Sequence, residues 1–320
     1  MTIAPAAWPR LGVGCATLAA PRVSEHDAAA TLAQAIDRGV RFFDVAPLYG
    51  GGLGEERLGR ALRGLPRDDY VLCTKTGVTR PYAQAATPPG TATPRAADRW
   101  DYSRGATRAS VQRSLERLGV DRLDVVHLHD VDNHVEACLE AHAELAQLHA
   151  EGVVGAIGIG SNLVAPVAAL LARAPFQAFL LAGRYTLLDA SAADLFAQAQ
   201  CQGVAVIAGG VFNSGILGRW PQPAPTYDYR PASAAEIGRT ARIAAVCARH
   251  GVALPTAALQ FAAGHPAVRT LLIGPRSPDE VDASLAAMDV AIDPALWHDL
   301  AAQGLVARTG LARAAETAAS

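Results

Sequence analysis

Apolar residues in this chain fall into short, nearly unbroken runs separated by longer stretches in which they recur every three or four positions. The runs at 11–15, 41–45, 70–75, 123–129, 155–160, 178–182, 204–208 and 270–274 have strand length and little apolar/polar alternation. That pattern predicts strands buried on both faces. The intervening stretches 24–38, 55–62, 104–118, 135–151, 165–172, 190–202, 236–249 and 255–262, and the chain from 278 onward, predict helices, the first with Ser24 as its cap. Strands alternating with helices imply parallel βαβ units. Eight of them are better accommodated by a closed (β/α)8 barrel, the TIM barrel, than by an open doubly wound sheet. No break in composition marks a domain boundary, so residues 1–320 are expected to form a single domain. Two long loops, 76–102 and 209–231, carry Tyr82, Trp100, Trp220, Tyr227 and Tyr229. Loops of that length in a compact domain are usually functional.

The composition narrows the function class. Of 320 residues, 51% are hydrophobic and 18% charged, which provides a large core. A net charge of −2 and scattered arginines offer no basic stripe for nucleic acid. Cys15, Cys73, Cys138, Cys201 and Cys247 are odd in number and widely spaced, without a CxxC pair. They indicate neither a disulfide framework nor a zinc site. No apolar run approaches about 18 residues and no leader-like N-terminus is present. The expectation is a soluble cytoplasmic protein, without a metal, a nucleic acid or a membrane as partner. Its oligomeric state is not legible.

In such a barrel the chemistry collects at the C-terminal ends of the strands. Those ends carry Asp44, with Tyr49 just beyond it, Lys75, His129, Ser161-Asn162 and Gly209-Gly210. Singly each has an ordinary reading: Asp44 as a helix cap, Tyr49 as core packing, Lys75 as a solvated strand end, His129 as a satisfied core histidine, and Ser161-Asn162 as a turn. An acid, a phenol, a lysine and a histidine at the ends of three successive strands form a constellation that these readings leave unexplained.

Four segments, Phe43-Asp44-Val45-Ala46-Pro47-Leu48-Tyr49-Gly50, Cys73-Thr74-Lys75, Leu128-His129-Asp130 and Ile157-Gly158-Ile159-Gly160-Ser161-Asn162, occur in an order that resembles the aldo-keto reductases. Within that family, Ala182-Gly183-Arg184-Tyr185-Thr186-Leu187-Leu188 and Asn213-Ser214-Gly215-Ile216-Leu217 are most similar to aldose 1-dehydrogenases acting on L-fucose and related sugars, a branch that also resembles pyridoxal 4-dehydrogenase. The resemblance implies a nicotinamide cofactor held without a Rossmann domain, and no GxGxxG follows a strand here. Moving hydride between a carbinol carbon and nicotinamide also requires a proton on or off the oxygen. A free phenol, with a pKa of about 10, is a poor base near neutrality. Lys75 is expected to lower the Tyr49 value, Asp44 to hold Lys75, and His129 to orient the reacting oxygen.

By the same resemblance, Ser161 and Asn162 match the pair that holds the nicotinamide carboxamide, and Tyr185 the aromatic that stacks on the ring; Ala182 stands where many relatives have glutamine. Gly209, Gly210, Ser214, Gly215 and Leu217 fall in the loop over the pyrophosphate. Gly54 stands where relatives often have a capping serine, a role glycine can also fill. Gly274, Arg276, Glu280 and Ser284 form the segment that selects the coenzyme. Relatives preferring NADP usually place arginine at the Glu280 position and asparagine at the Ser284 position. A carboxylate there repels a 2′-phosphate and favours NAD, while Arg276 leaves NADP possible. Asp130, Arg184, Asn213 and Trp100 are the candidates for substrate contact. The leading expectation is an NAD(P)-dependent oxidation of the anomeric carbon of L-fucose, L-galactose or D-arabinose to a lactone. Pyridoxal 4-dehydrogenase, an NADPH-dependent aldehyde or ketone reductase, and a cofactor-sensing regulatory subunit are the alternatives.

Overall fold

The computed structural model describes residues 7–20, 22–79 and 98–306. Tyr82, on the first long loop, and the polar tail from 307 lie outside the described residues. Eight strands form the barrel: β1 (Leu11–Gly14), β2 (Phe42–Asp44), β3 (Val71–Thr76), β4 (Leu123–His129), β5 (Val154–Ser161), β6 (Ala178–Ala182), β7 (Ala205–Gly209) and β8 (Val268–Ile273). Each pairs in parallel with its neighbours, and β8 closes on β1 through Leu11 opposite Leu271 and Val13 opposite Ile273.

Helices α1 (Glu25–Asp37), α2 (Leu53–Ala61), α3 (Arg104–Leu118), α4 (Val135–Ala150), α5 (Val164–Leu171), α6 (Ala193–Gln202), α7 (Ala234–Arg249), α8 (Leu254–Ala263), α9 (Pro278–Asp289) and α10 (Pro294–Ala302) accompany the strands. Ser24, Ser103, Ser233 and Ser277 each accept a backbone N–H at the start of a helix, which satisfies one of the donors a helix leaves orphaned there.

The period of two along the strands separates two cores. Phe43, Leu72, Val126, Ile157, Phe179 and Val206 belong to the packing between sheet and helices. Phe42, Val71, Cys73, Val125, Ala156, Leu180, Ile207 and Leu272 fill the barrel interior, with Trp8 set edge-on to Phe42 at 5.4 Å. The same inward parity carries upward to Asp44, Lys75, His127 and His129, so the polar side chains sit on top of an apolar floor. Small residues provide their room. A Cβ added to Gly158 would lie 2.2 Å from His127 Nδ1, and one on Gly12 would lie 2.7 Å from the Phe42 ring.

Outside the barrel, Glu55 in α2 is fully buried and accepts from Thr74 Oγ1 of β3 at 2.7 Å and from Arg117 Nε of α3 at 2.7 Å. A buried carboxylate held by two partners is costly to disturb. It fixes the helix that follows Tyr49 against the strand that carries Lys75. The second long loop is more structured than its composition predicts: a 3₁₀ turn at Asn213–Gly215 and a small hairpin, Thr226–Tyr227 against Arg230–Pro231, occupy it.

Packing around His127 predicts that Gly158→Ala destabilises the fold by about 1–3 kcal/mol, the usual range for overpacking. Gly105, in the first turn of α3, faces open space. Gly105→Ala should therefore leave stability unchanged or raise it by up to about 1 kcal/mol. Denaturant unfolding of the two variants beside the parent checks both signs.

Candidate active site

The mouth of the barrel brings Asp44, Tyr49, Lys75 and His129 together. Lys75 is 2% exposed, and its ammonium donates to Asp44 Oδ2 at 2.6 Å and to the Val45 carbonyl at 2.9 Å. Tyr49 begins a 3₁₀ turn after Pro47, and its N–H bonds the Ala46 carbonyl at 3.0 Å. Gly50, Gly51 and Gly52 follow at φ 65°, 65° and 104°, a left-handed run that side-chain-bearing residues disfavour. It reverses the chain into α2. The sequence reading placed Gly54 as the cap of that helix, but the cap is Gly52. Gly54 lies inside the helix, where a Cβ would come 3.0 Å from Ala19 Cβ and 3.4 Å from Tyr49 Cβ; its smallness lets Tyr49 settle inward. The phenol ring then stands with its centroid 4.8 Å from Lys75 Nζ and 5.7 Å from the His129 ring, nearly perpendicular to the latter.

Burial is the largest influence on each group. It acts to lower the Lys75 ammonium, yet Asp44 and Tyr49 outweigh it and hold the pKa above its ordinary value. Asp44 is pushed up by burial, against the opposing pull of Lys75. Burial outweighs the lowering that Lys75 exerts as expected, so the net shift of Tyr49 is upward. Burial raises the phenol, Lys75 is the strongest opposing influence, and Asp44 and Asp130 raise it further. Tyr49 is thus a neutral phenol near neutrality, within reach of a proton donor or acceptor role whose balance Lys75 sets. His127, unremarked in the sequence, lies fully buried with the same inward parity as His129. Burial first, then Lys75 and His129, keep its imidazole neutral, so no second cation forms beneath the lysine.

The remaining candidates divide. Ser161 ends β5 with its hydroxyl donating to Asp132 Oδ1 at 2.8 Å, and the Asn162 carbonyl accepts from Arg184 Nε at 2.6 Å. Tyr185 is misplaced by the sequence reading. Gly183 turns the chain at φ 73°, and the Tyr185 ring leaves the mouth for the outer core, stacked on Phe261 at 5.3 Å and packed against Phe196 and His265. Buried there, it is in no position to stack on a nicotinamide.

Arg184 is likewise taken up by the protein: besides Asn162 it binds Asp189 at 3.1 Å and both oxygens of Asp228 at 2.9 Å. It acts as a brace. Asn213 is 4% exposed and donates to the Gly183 carbonyl at 3.4 Å, so it is withdrawn from the substrate-facing set. Leu217 is fully buried, and its N–H is taken by the Phe212 carbonyl at 3.2 Å. Gly209 ends β7 and Gly210 follows it at φ 61°; a Cβ on Gly210 would lie 2.9 Å from Gly183 N. Ser214 and Gly215, at φ 61° and 107°, form the turn above them.

Across the mouth, Gly274 packs beside Thr17, whose hydroxyl bonds the Pro275 carbonyl at 2.9 Å. Arg276 is ion-paired with Glu280, its backbone N–H reaching Glu280 Oε2 at 2.9 Å and its Nε reaching Oε1 at 3.1 Å. Ser284 donates to the Glu280 carbonyl at 2.7 Å. Asp130, at φ 51°, sets its Oδ1 3.8 Å from His129 Nε2 and remains at the reacting end of the cleft. Tyr102 donates to the His129 carbonyl at 2.6 Å, and half-buried Trp100 stacks on His134 at 5.9 Å. Among the described residues, no group of three or more His, Cys, Asp or Glu side chains is placed to hold a metal ion.

A phenol, a lysine–carboxylate pair and an imidazole over the C-terminal mouth of a parallel barrel define a class of oxidoreductase that interconverts carbinol and carbonyl by paired hydride and proton transfer. The comparisons agree with that class. The Aldo/keto reductase family pattern matches residues 10–302, and the chain belongs to that family. It is therefore an oxidoreductase of a kind that uses a nicotinamide coenzyme, NAD or NADP. The chain is 36% identical to D-threo-aldose 1-dehydrogenase of a Pseudomonas species, covering 94% of this chain and 95% of that enzyme. It is 35% identical to pyridoxal 4-dehydrogenase of Microbacterium luteolum, covering 92% and 94%. Among solved structures it resembles the holo form of an aldo-keto reductase from Bacillus halodurans, with a TM-score of 0.75, 26% identity and 93% and 92% of the two chains covered.

The opposing charges around Tyr49 yield a paired prediction. Lys75→Met removes the cation that favours phenolate, so the alkaline limb of the pH–rate profile moves up. Asp130→Asn removes an anion that disfavours phenolate, so the limb moves down. The pH dependence of kcat for both variants checks the two signs; a limb fixed in both would assign it to a group other than Tyr49.

Proposed function

We propose that this chain is an NAD-dependent dehydrogenase that oxidises the anomeric carbon of a cyclic aldose of the L-fucose, L-galactose or D-arabinose type to a lactone, acting as one domain in the cytoplasm. The observation that carries the reading is the Asp130 carboxylate beside His129 at the mouth, a hydrogen-bond acceptor suited to a polyhydroxylated ring. Similarity to D-threo-aldose 1-dehydrogenase along almost the whole chain supports the same class of substrate. Four buried cysteines without disulfide partners, and Cys201 also free, are consistent with a reducing compartment.

The residues present fit a nicotinamide dinucleotide. Gly209 and Gly210 add no side chains of their own at the end of β7, the Asn213 Oδ1 is buried without a hydrogen-bond partner, and Arg276 is paired with Glu280 in the segment after β8. Ser161, Asn162, the Ser214–Gly215 turn, Gly274 and the Arg276–Ser284 segment would hold it. When bound, it supplies the acceptor for the hydride leaving C1. The protein's part is the proton: Tyr49 takes it from the anomeric hydroxyl, His129 orients that oxygen, Lys75 stabilises the phenolate, and Asp44 keeps Lys75 in place. Since Tyr49 is mostly a neutral phenol near neutrality, oxidation should speed up toward alkaline pH and reduction should slow.

The Arg276–Glu280 pair supports NAD over NADP, because the guanidinium that would meet a 2′-phosphate is already neutralised by a carboxylate. The same pair counts against an NADPH-dependent carbonyl reductase. Pyridoxal oxidation stays as the second reading, since the pyridoxal enzyme is matched nearly as well as the sugar enzyme. The intact group of four counts against a purely regulatory subunit.

Two measurements test the proposal. Reduced coenzyme is followed with NAD and L-fucose, L-galactose, D-arabinose, their epimers and pyridoxal, with Tyr49→Phe as the control expected to lose roughly 10²–10⁴-fold in kcat. A site that reads hydroxyls should separate epimers by about a hundredfold or more. Activity with pyridoxal alone would replace the sugar reading. Glu280→Arg should shift the ratio of NADP to NAD dissociation constants toward NADP by about tenfold or more, equivalent to about 1.4 kcal/mol. An unmoved ratio would place the 2′-position away from this pair.

A further inference from the structure

Of the aromatic residues on the second long loop, Tyr229 is the most exposed. Trp220 packs against the core, and Tyr227 is buried beneath the Arg230 guanidinium, 5.4 Å from its ring centroid. Tyr229 is 46% exposed. It sits in the two-residue turn of the hairpin, where Tyr227 pairs with Arg230, and both turn residues have positive φ: 49° at Asp228 and 61° at Tyr229. Turns of this kind strongly favour Asn-Gly or Gly-Gly, and a bulky aromatic in the left-handed region is strained. Strain of that sort persists only where the surroundings enforce it.

The surroundings here are specific. The Tyr229 N–H bonds Ser214 Oγ at 2.8 Å, and Thr226 Oγ1 bonds the Ser214 carbonyl at 2.8 Å. Arg184 grips both oxygens of Asp228 while its Nε holds the Asn162 carbonyl. The turn is thereby tied both to the loop above Gly209-Gly210 and to the end of β5. The turn that displays the ring therefore stands at the C-terminal ends of β5 and β7, the face that carries the candidate site. The residue is part-exposed, yet protein crowds its hydroxyl: desolvation there raises the phenol, and the Asp228 and Asp130 carboxylates raise it further. Asp130 is the same carboxylate that stands beside His129 and acts on Tyr49.

We propose that Tyr229 is a specificity-determining residue whose ring forms the wall of the substrate subsite opposite the catalytic group, lying against the C–H face of a pyranose while Asp130 accepts from its hydroxyls. Arg184 is the positioning residue that holds this wall. An aromatic face fits a sugar ring because the axial C–H bonds of one side form an apolar surface, while the hydroxyls project to the rim. The proposal rests on the aldose reading above.

The test exploits the strain. Tyr229→Gly places the residue that tolerates φ 61° at the turn, so the melting temperature should stay level or rise. In the same variant kcat/KM for the best aldose should fall at least tenfold, chiefly through KM, with the NAD dissociation constant unmoved. Tyr229→Phe should restore kcat/KM to within about threefold, which assigns the effect to the ring. A structural role alone would lower stability and activity together. If Tyr229→Gly fails to fold, Tyr229→Asn, which also tolerates the left-handed region, reads the same ratio. Retention of kcat/KM within twofold in a folded variant overturns the proposal. Pyridoxal is run in parallel: if aldoses are inert in the parent while pyridoxal is oxidised, the aldose reading and the pyranose contact fail together. A tenfold loss on pyridoxal in Tyr229→Gly would then show that the wall exists for a flat ring instead.

Discussion

The ion pair between Lys75 and Asp44 is the constraint around which the upper half of the barrel is arranged. Two opposite charges 2.6 Å apart, each almost wholly buried, give up hydration worth several kcal/mol apiece. Their attraction offsets that loss only if the geometry is held and the remaining donors are satisfied, and the Val45 carbonyl supplies a further acceptor. Several other features follow. Gly14 lies beside Asp44 in the sheet, and a Cβ on Gly160 would touch the Lys75 stem at 3.7 Å, so the neighbours of the pair on the adjacent strands are small. His127 has to stay neutral, since a second cation in the same dry layer would compete with Lys75 for Asp44. Tyr49, brought alongside by a run of left-handed glycines, feels both partners at once.

That arrangement accounts for a phenol that is neither free nor strongly activated. Burial alone would leave Tyr49 inert, and an unpaired lysine beside it would have been driven toward its neutral form by the same dry surroundings. Pairing the lysine with an acid keeps it charged, but the acid also works against the phenolate. The net effect is a phenol held in its neutral form, with burial the largest influence on it and Lys75 the largest one toward phenolate. A carboxylate at the rim, Asp130, acts on it in the same upward direction as burial.

The readability of the sequence follows the regularity of the backbone. Strands buried on both faces leave unbroken apolar runs, and period two then determines which side chains point inward, so Asp44, Lys75 and His129 were accessible from spacing alone. His127 was accessible by the same parity and went unremarked because two histidines on one strand carry no motif. Regularity ends with the strand. Tyr185 follows Gly183, whose positive φ takes the chain out of the sheet, and no periodicity indicates that its ring turns to Phe261. Arg184 and Asn213 have the polarity of substrate contacts, yet their partners are Asp189, Asp228 and the Gly183 carbonyl, brought near only by the folded loops. The hairpin at Asp228-Tyr229 lacks the glycine that announces such turns, and it was hidden for that reason.

The two charged pairs of the cleft also differ in how freely they can change. Asp44 and Lys75 lie in a dry interior, where removing either partner strands the other charge. Arg276 and Glu280 are 40% and 38% exposed, and water replaces whichever partner is lost. Exposed pairs of this kind contribute about 0–1 kcal/mol to stability. On the proposed reading, coenzyme preference is lodged where substitution costs the fold little, while the proton chemistry is lodged where almost any substitution costs it a great deal. The substrate wall falls between these extremes: Tyr229 is exposed, but its backbone is held under strain by Ser214 and, through Asp228, by Arg184. On that reading, this chain's coenzyme can be altered by a surface substitution and its substrate by a loop, provided that the turn holding the loop keeps its anchors.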